Sequence, residues 1–264
     1  MPPGTLTKTV EPQMVNDLVS IVMPAYNASS VLRDTVTSVQ RQTYAHWELL
    51  IADDCSKDAT RSIAKEYAAC DNRIRLIALS QNSGPAGARQ AAIDAAKGRF
   101  IAFLDSDDLW LPGKLERQVR FMQERGAAFS FTAFRRISAD GSRVGRILHV
   151  PAKLTYRQLL GNTAIATSTA MIDVVLTGPF RMIKTYYDDF ALWLEITRRG
   201  FAAWGLDEDL VRYRVLGGSV SRNKARSAVM VWRTYRDVER LDIARSSWYF
   251  TRYALNAFAK YRSF

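Results

Sequence analysis

Three acidic clusters carry the residue types and spacings that could do chemistry: Asp53-Asp54, Asp105-Ser106-Asp107-Asp108 and Asp188-Asp189. The middle one packs three carboxylates into four positions directly after the apolar run Phe100-Ile101-Ala102-Phe103-Leu104. Like charges crowded at the mouth of a buried strand raise the energy unless positive charge sits among them. A divalent cation meets that need, because hard oxygen ligands suit Mg²⁺ or Mn²⁺, which keep several waters and bridge to a substrate's phosphates. A bare Asp-x-Asp is more often a solvated turn, so the surrounding elements must decide between the two.

Other chemistries lack their residues. No Gly-x-Gly-x-x-Gly follows the first apolar run, no Gly-Lys-Ser/Thr phosphate loop occurs, and there is no Gly-x-Ser-x-Gly elbow. His46 and His149 are not spaced as metal ligands and read as surface or structural residues.

The elements that position the carboxylates follow from periodicity. Val19–Met23 reads as a first strand stopped by Pro24, and Ala25-Tyr26-Asn27 as a turn. A helix follows with Leu32, Val36 and Val39 on one face and Ser29 or Ser30 as its cap. Trp47–Ala52 is a second strand that ends on Asp53-Asp54. Next comes a helix with Ile63, Ala64 and Tyr67 on one side, capped by Asp58 or Thr60. Ile74–Leu79 is a third strand, closed by the turn residues 81–85. A helix over 86–96 carries the small stripe Ala88, Ala91, Ala92 and Ala95, which lets it lie close to a sheet. The fourth strand is the run before Asp105, and Leu115, Val119 and Met122 mark the helix after it. Four strands alternating with four helices make a parallel α/β sheet. Such sheets bind ligands outside the carboxyl ends of their strands. The first two acidic clusters therefore share one edge.

Beyond that point, 127–134 reads as a further strand and 139–142 as a hairpin turn, whereas 150–185 mixes patterns. Asp188 or Asp189 caps a helix over 190–200, and the chain from Arg222 onward is helical in pattern.

The chain has 264 residues, 48% of them hydrophobic, which fits one large α/β domain with an appendage or two domains. Two cysteines, Cys55 and Cys70, are too few for a disulfide framework and point to a reducing compartment. Met1-Pro2-Pro3-Gly4 lacks the basic flank and apolar core of a signal peptide. No apolar run approaches the roughly 20 residues of a membrane span. The expectation is a cytoplasmic protein, soluble or peripheral on the inner face of the plasma membrane. Net charge is +11, and residues 212–264 hold 12 basic and 3 acidic side chains, so +9 of it lies in the last fifth. A basic tail implies an anionic partner. Its Arg245, Arg252, Lys260 and Arg262 interleave with Trp248, Tyr249, Phe250, Tyr253, Phe258 and Tyr261, the composition of a segment lying in a membrane interface.

Four stretches occur in a telling order: Val19–Asn27, Asp53–Thr60, Asn82–Arg89 and Leu104–Asp108. In this series the chain resembles the family 2 inverting glycosyltransferases of the GT-A fold, over residues 18 to about 222. It is most similar to bacterial members that build teichuronic acid, O-antigen or capsule. The resemblance implies a catalytic domain over 18–222, while composition sets apart a polar arm over 1–17 and a basic, aromatic helical segment over 223–264. Within the catalytic domain the resemblance implies a nucleotide-binding half (18–110) and an acceptor-binding half (111–222).

It also implies roles. Pro24, Ala25, Tyr26 and Asn27 flank the base of a nucleotide-sugar, most simply a UDP-sugar, with Tyr26 stacked on the base. Asp54 accepts the uracil N–H, with Asp53 beside it. Asn82 and Gly84 shape the loop over ribose and phosphates, and Arg89 reaches the diphosphate. Asp107 ligates Mn²⁺ or Mg²⁺; Asp105, with Ser106 next to it, holds the ribose or a metal-bound water. Asp189 deprotonates the acceptor, a glycan or polyprenyl-diphosphate-linked hydroxyl. Cys55 stands where the family has glycine, and Leu216 near where many members have histidine. Closing-loop contacts to the diphosphate then fall to Arg214, Ser219 or Ser221.

Two other classes compete. Sugar-phosphate nucleotidyltransferases also use strand-end aspartates, but open on a glycine-rich basic loop where this chain has Pro24-Ala25-Tyr26-Asn27. A basic nucleic-acid-binding or scaffold protein would suit the pI of 9.8. Acidic strand ends repel phosphates in the absence of metal, so no nucleic-acid partner is expected.

Overall fold

The structure, a computed structural model, describes residues 17–216 and 224–261, with side chains through 216 and from 225 to 256. The expected N-terminal arm up to residue 16, Ser219, Ser221 and the side chains of Phe258, Lys260, Tyr261 and Arg262 lie outside the described residues.

The first half is built as the periodicity predicts. β1 (Val19–Ala25), β2 (Trp47–Asp53), β3 (Ile74–Ala78) and β4 (Phe100–Phe103) pair in parallel in the order β3-β2-β1-β4. Their inner strands are buried on both faces, as a sheet covered by helices on both sides requires. On one face Ile21, Leu49 and Ala102 pack with α1 (Leu32–Gln40), α2 (Thr60–Cys70) and α4 (Lys114–Arg125). On the other, Val22, Leu50 and Phe103 meet the alanine face of α3 (Gly84–Ala95). Gly98 is obligatory just before β4, because a Cβ there would lie 2.4 Å from the Leu18 carbonyl oxygen.

Three local expectations are corrected; the first is the cap of α2, whose N-cap is Ala59 with no side-chain cap, rather than Asp58 or Thr60. β1 runs through Pro24 to Ala25: its pairing with β4 has already ended at Val22, so the missing N–H of Pro24 breaks little of the ladder. Neither Ser29 nor Ser30 caps α1, whose N-cap is Val31; the Ser29 N–H instead donates to Asp58 (3.1 Å).

The second half extends the same sheet. After β5 (Leu109–Trp110), β6 (Phe129–Ser138) and β7 (Val144–Leu148) form the hairpin expected around 139–142. The unassigned stretch 150–185 resolves into β8 (Lys153–Leu154), α5 (Tyr156–Leu160), a buried 3-10 turn (Thr167–Thr169), β9 (Met171–Asp173) and α6 (Val174–Thr177). β9 inserts antiparallel between β4 and β6 and makes the sheet mixed. α7 (Asp188–Arg198) then packs Phe190, Trp193 and Leu194 into the α3-side core. β10 (Ala203–Val215) lies parallel to β6 and antiparallel to β5. The result is a ten-stranded mixed sheet between helices, parallel throughout its first four strands.

The C-terminal segment is α8 (Lys224–Arg233), a π turn (Thr234–Val238) and α9 (Ile243–Tyr261). Val231 and Tyr235 are buried in the α3-side core, and Tyr249, Phe250 and Tyr253 lean on it. The expected basic, aromatic surface is thus halved: three aromatics face the protein, while Trp248, Arg245 and Arg252 stay exposed with Ile243 and Leu255. Among the described residues no helix is long and apolar enough to cross a membrane.

Candidate active site

At the carboxyl edge of β1 and β2 the loops are knitted by backbone hydrogen bonds. The Asp54 N–H donates to the Ala25 carbonyl (2.9 Å). Asn27, at φ +50°, accepts the Lys57 N–H on Oδ1 and donates its own N–H to Ser56. Asp53 is fully buried and paired with Arg61 (2.6 Å). Asp54 turns both carboxylate oxygens onto the N–H groups of Ser83 (2.7 Å) and Gly84 (2.8 Å) at the start of α3, where a negative charge is favoured. Asn82 donates to the Asp54 carbonyl. Cys55 adopts φ +62°, a left-handed conformation that explains why a glycine suits this position. Pro24, Ala25, Asn27, Asp53, Asp54, Asn82 and Gly84 are therefore parts of one rim. From that rim Tyr26 projects half-exposed.

The second group sits at the end of β4. Asp108 is buried and accepts from the Ser168 hydroxyl and the Arg214 N–H (2.8 Å). Burial and its two acidic neighbours push its carboxyl well up. Asp105 accepts from Arg89 (2.5 Å), and its N–H donates to Ser168. The Ser106 carbonyl takes the Thr35 hydroxyl (2.8 Å), and the Asp107 carbonyl takes Nε of Arg214 (2.9 Å). Asp107 is the exception: among the described residues no other group donates to its carboxylate. Burial first, and then Asp105, push its pKa up to about 6.

That donor set fits a hard divalent ion. No group of three or more His, Cys, Asp or Glu converges among the described residues. Mg²⁺ and Mn²⁺ bound with nucleotides need only one or two carboxylates, with phosphates and waters completing the shell. Asp107, lacking a donor and costly to ionise, is the ligand such an ion would restore, with Asp105 beside it.

Arg89 joins this group to the third. Its guanidinium, nearly buried, pairs with Asp105 and is held charged by Asp105, Asp189 and Asp188 against the cost of burial. The family role implied for Arg89 was the diphosphate; here it lies between the strand-end carboxylates and α7. Asp189 accepts from the Thr167 hydroxyl (2.5 Å) and the Phe190 N–H (2.7 Å). Burial raises its pKa, and Arg89 opposes the rise. Asp188 points elsewhere, onto the Thr185 N–H. Neither is the N-cap of α7, which is Tyr187. A cavity of about 120 Å³ opens beside Asp189, lined by Asn162, Thr167, Tyr187, Tyr213, Tyr253 and Asn256 among others.

Sequence reasoning missed Thr167, Ser168 and Arg61, and gave Arg214 another task. Arg214 is buried and spends its guanidinium on the Asp107 and Ala139 carbonyls and Asp34. The hydroxyl run Thr167-Ser168-Thr169 was the available signal: all three are buried and need partners, and Thr167 finds Asp189, Ser168 finds Asp108 and Thr169 the Ala166 carbonyl.

The mixed sheet, with carboxylates gathered at the carboxyl edge of its parallel strands, matches the GT-A fold of glycosyltransferases. The chain belongs to glycosyl transferase family 2, whose model matches residues 20–189. It is 45% identical over 245 residues (92% of this chain, 97% of the relative) to a putative teichuronic acid biosynthesis glycosyltransferase, TuaG, of Bacillus subtilis. It is 38% identical over 229 residues (86% and 89%) to WfgD of Escherichia coli, a UDP-Glc:α-D-GlcNAc-diphosphoundecaprenol β-1,3-glucosyltransferase. In fold it is similar to Staphylococcus aureus TarS 1–349 in complex with UDP-GlcNAc (TM-score 0.65, 18% identity, 91% of this chain and 72% of that one). It is also similar to the Pyrobaculum calidifontis mannosyltransferase PcManGT in complex with GDP-Man and Mn²⁺ (TM-score 0.66, 17% identity, 94% and 76%).

Proposed function

We propose that the chain moves a sugar from a UDP-sugar to a hydroxyl of a polyprenyl-diphosphate-linked acceptor in cell-surface polysaccharide synthesis, with inversion at the anomeric carbon. The donor half is 18–110 and the acceptor half 111–222. One observation carries the reading: Arg89 pairs with Asp105 at the donor edge and acts electrostatically on Asp189, so a leaving-group site and a candidate base share one cation. The activities named for TuaG and WfgD support the choice of pathway and acceptor.

Single displacement needs one base on the acceptor side and positive charge on the leaving diphosphate. Asp189 takes the acceptor proton. Its burial makes the carboxylate more basic, while Arg89 and the Thr167 hydroxyl keep it ionised and oriented. Tyr26 offers its face to the uracil, and Asp54 holds the 82–84 loop in place for ribose and phosphates. Asp107 and Asp105 would hold Mn²⁺ or Mg²⁺, which when bound neutralises charge on the departing diphosphate. The exposed Trp248, Leu255, Arg245 and Arg252 of 223–264 rest the enzyme on an anionic leaflet, at about 1 kcal/mol per basic residue.

Asp189→Asn tests the reading: a lost base costs roughly 10²- to 10⁴-fold in rate, while UDP affinity by calorimetry stays at the wild-type value. Full transfer by Asp189→Asn together with an inactive Asp188→Asn would move the base to Asp188.

A further inference from the structure

We infer that the C-terminal helix α9 is a wall of the acceptor site: the cavity beside Asp189 takes the terminal sugar of a sugar-diphosphate acceptor against Tyr253, with Arg136 meeting its phosphates. The inference rests on the acceptor reading proposed above and adds which residues recognise that acceptor.

The cavity is lined from two directions. Asn162 follows α5, Tyr187 precedes α7, and Arg136 and Tyr213 come from β6 and β10; Tyr253 and Asn256 come from α9. A sugar ring presents flat C–H faces and a rim of hydroxyls. Its site pairs aromatic faces with a few fixed polar groups, and three tyrosines with two amides are that combination. Besides Asp189, Arg136 is the one charged side chain among the described lining residues. A neutral glycan needs no cation there, whereas a diphosphate suits the planar donors of an arginine.

The α9 wall is built rather than incidental. Asn256 donates to the Gly161 carbonyl (2.8 Å) at the end of α5. The helix lies so close there that a Cβ on Gly161 would sit 3.1 Å from Cβ of Arg252. Ser246 is fully buried, Phe250 stacks edge-on against Trp232 of α8, and its ring lies 5.8 Å from that of Tyr253. The face carrying Tyr253 is thereby fixed toward Asp189, while Trp248 and Leu255 look away into solvent. One helix then joins membrane contact to acceptor capture.

The test is calorimetric binding to the full chain with Mn²⁺ and UDP present. The probes are a short-chain N-acetylglucosaminyl-diphosphate lipid and the matching octyl N-acetylglucosaminide, which lacks the phosphates. Tyr253→Ala should weaken both on the order of tenfold. Arg136→Gln should weaken the diphosphate probe alone by a similar factor. Thr251→Ala, on the exposed side of α9, should leave both at wild-type affinity. UDP affinity reports the integrity of the fold; should Tyr253→Ala lose it, Asn162→Ala is read instead and should weaken both probes. Wild-type affinity for both probes in the Tyr253 and Arg136 variants, or no binding by wild type, overturns the subsite. Probe binding that depends on Tyr253 without sugar transfer would overturn the proposed activity and leave the subsite standing.

Discussion

Asp107→Asn should make the metal-free protein more stable and the metal-bound protein less so. The Asp107 carboxyl titrates at about 6 in the fold against 3.8 ordinarily. A carboxyl that holds its proton more tightly when folded adds stability that is fully present below its unfolded pKa, about 4, and lost as pH rises through about 6. At pH 7 the shift of about two units amounts to about 3 kcal/mol. Partial solvent access screens some of it, which leaves ~1–2 kcal/mol. For a chain of this size that is a rise in Tm of roughly 2–8 °C for the variant in EDTA at pH 7, and the gap should close as pH falls to about 4. Mn²⁺ with UDP at about a hundred times its Kd adds about 3 kcal/mol to the wild type and little to the variant, so the order of stabilities reverses. Differential scanning calorimetry at pH 7 and pH 4, with and without Mn²⁺-UDP, reads all four states. A variant less stable than wild type in EDTA, or one with the full metal-dependent gain, would refute the reasoning.

Further outcomes follow from single contacts. Cys55→Gly relieves a left-handed residue and should stabilise the fold by about 1 kcal/mol in urea titration. Arg89→Met removes the cation that holds down the Asp189 pKa, so the acidic limb of the pH–rate profile should move to higher pH. Trp248→Ala with Arg245→Gln and Arg252→Gln should reduce flotation with anionic liposomes; equal flotation by both proteins would remove α9 as the anchor.

The donor half was legible because its strands and helices keep strict periods and end on acids. The run into Asp105 and the alanine face of α3 each needed only local sequence. The second half was not, because its elements are short and are fixed by partners far away in the chain. β9 has three residues and takes its place from β4 and β6. The Thr167–Thr169 turn is ordered by carboxylates 22 and 60 positions away. Arg214 shows the same limit: its sequence neighbourhood suggests a phosphate ligand, and its contacts make it the brace behind Asp107. The tail's aromatics could not be divided between membrane and core from composition alone, since packing on the α3-side core is what distinguishes Tyr253 from the exposed Trp248.

The most direct test of single displacement by Asp189 with metal at Asp107 is the configuration of the product. The full chain would be incubated with Mn²⁺, an α-linked UDP-sugar and the N-acetylglucosaminyl-diphosphate lipid, and the new anomeric proton coupling read by NMR. The account predicts a β linkage whose formation stops in both Asp107→Asn and Asp189→Asn. An α linkage, or β product formed at the wild-type rate by either variant, would contradict it.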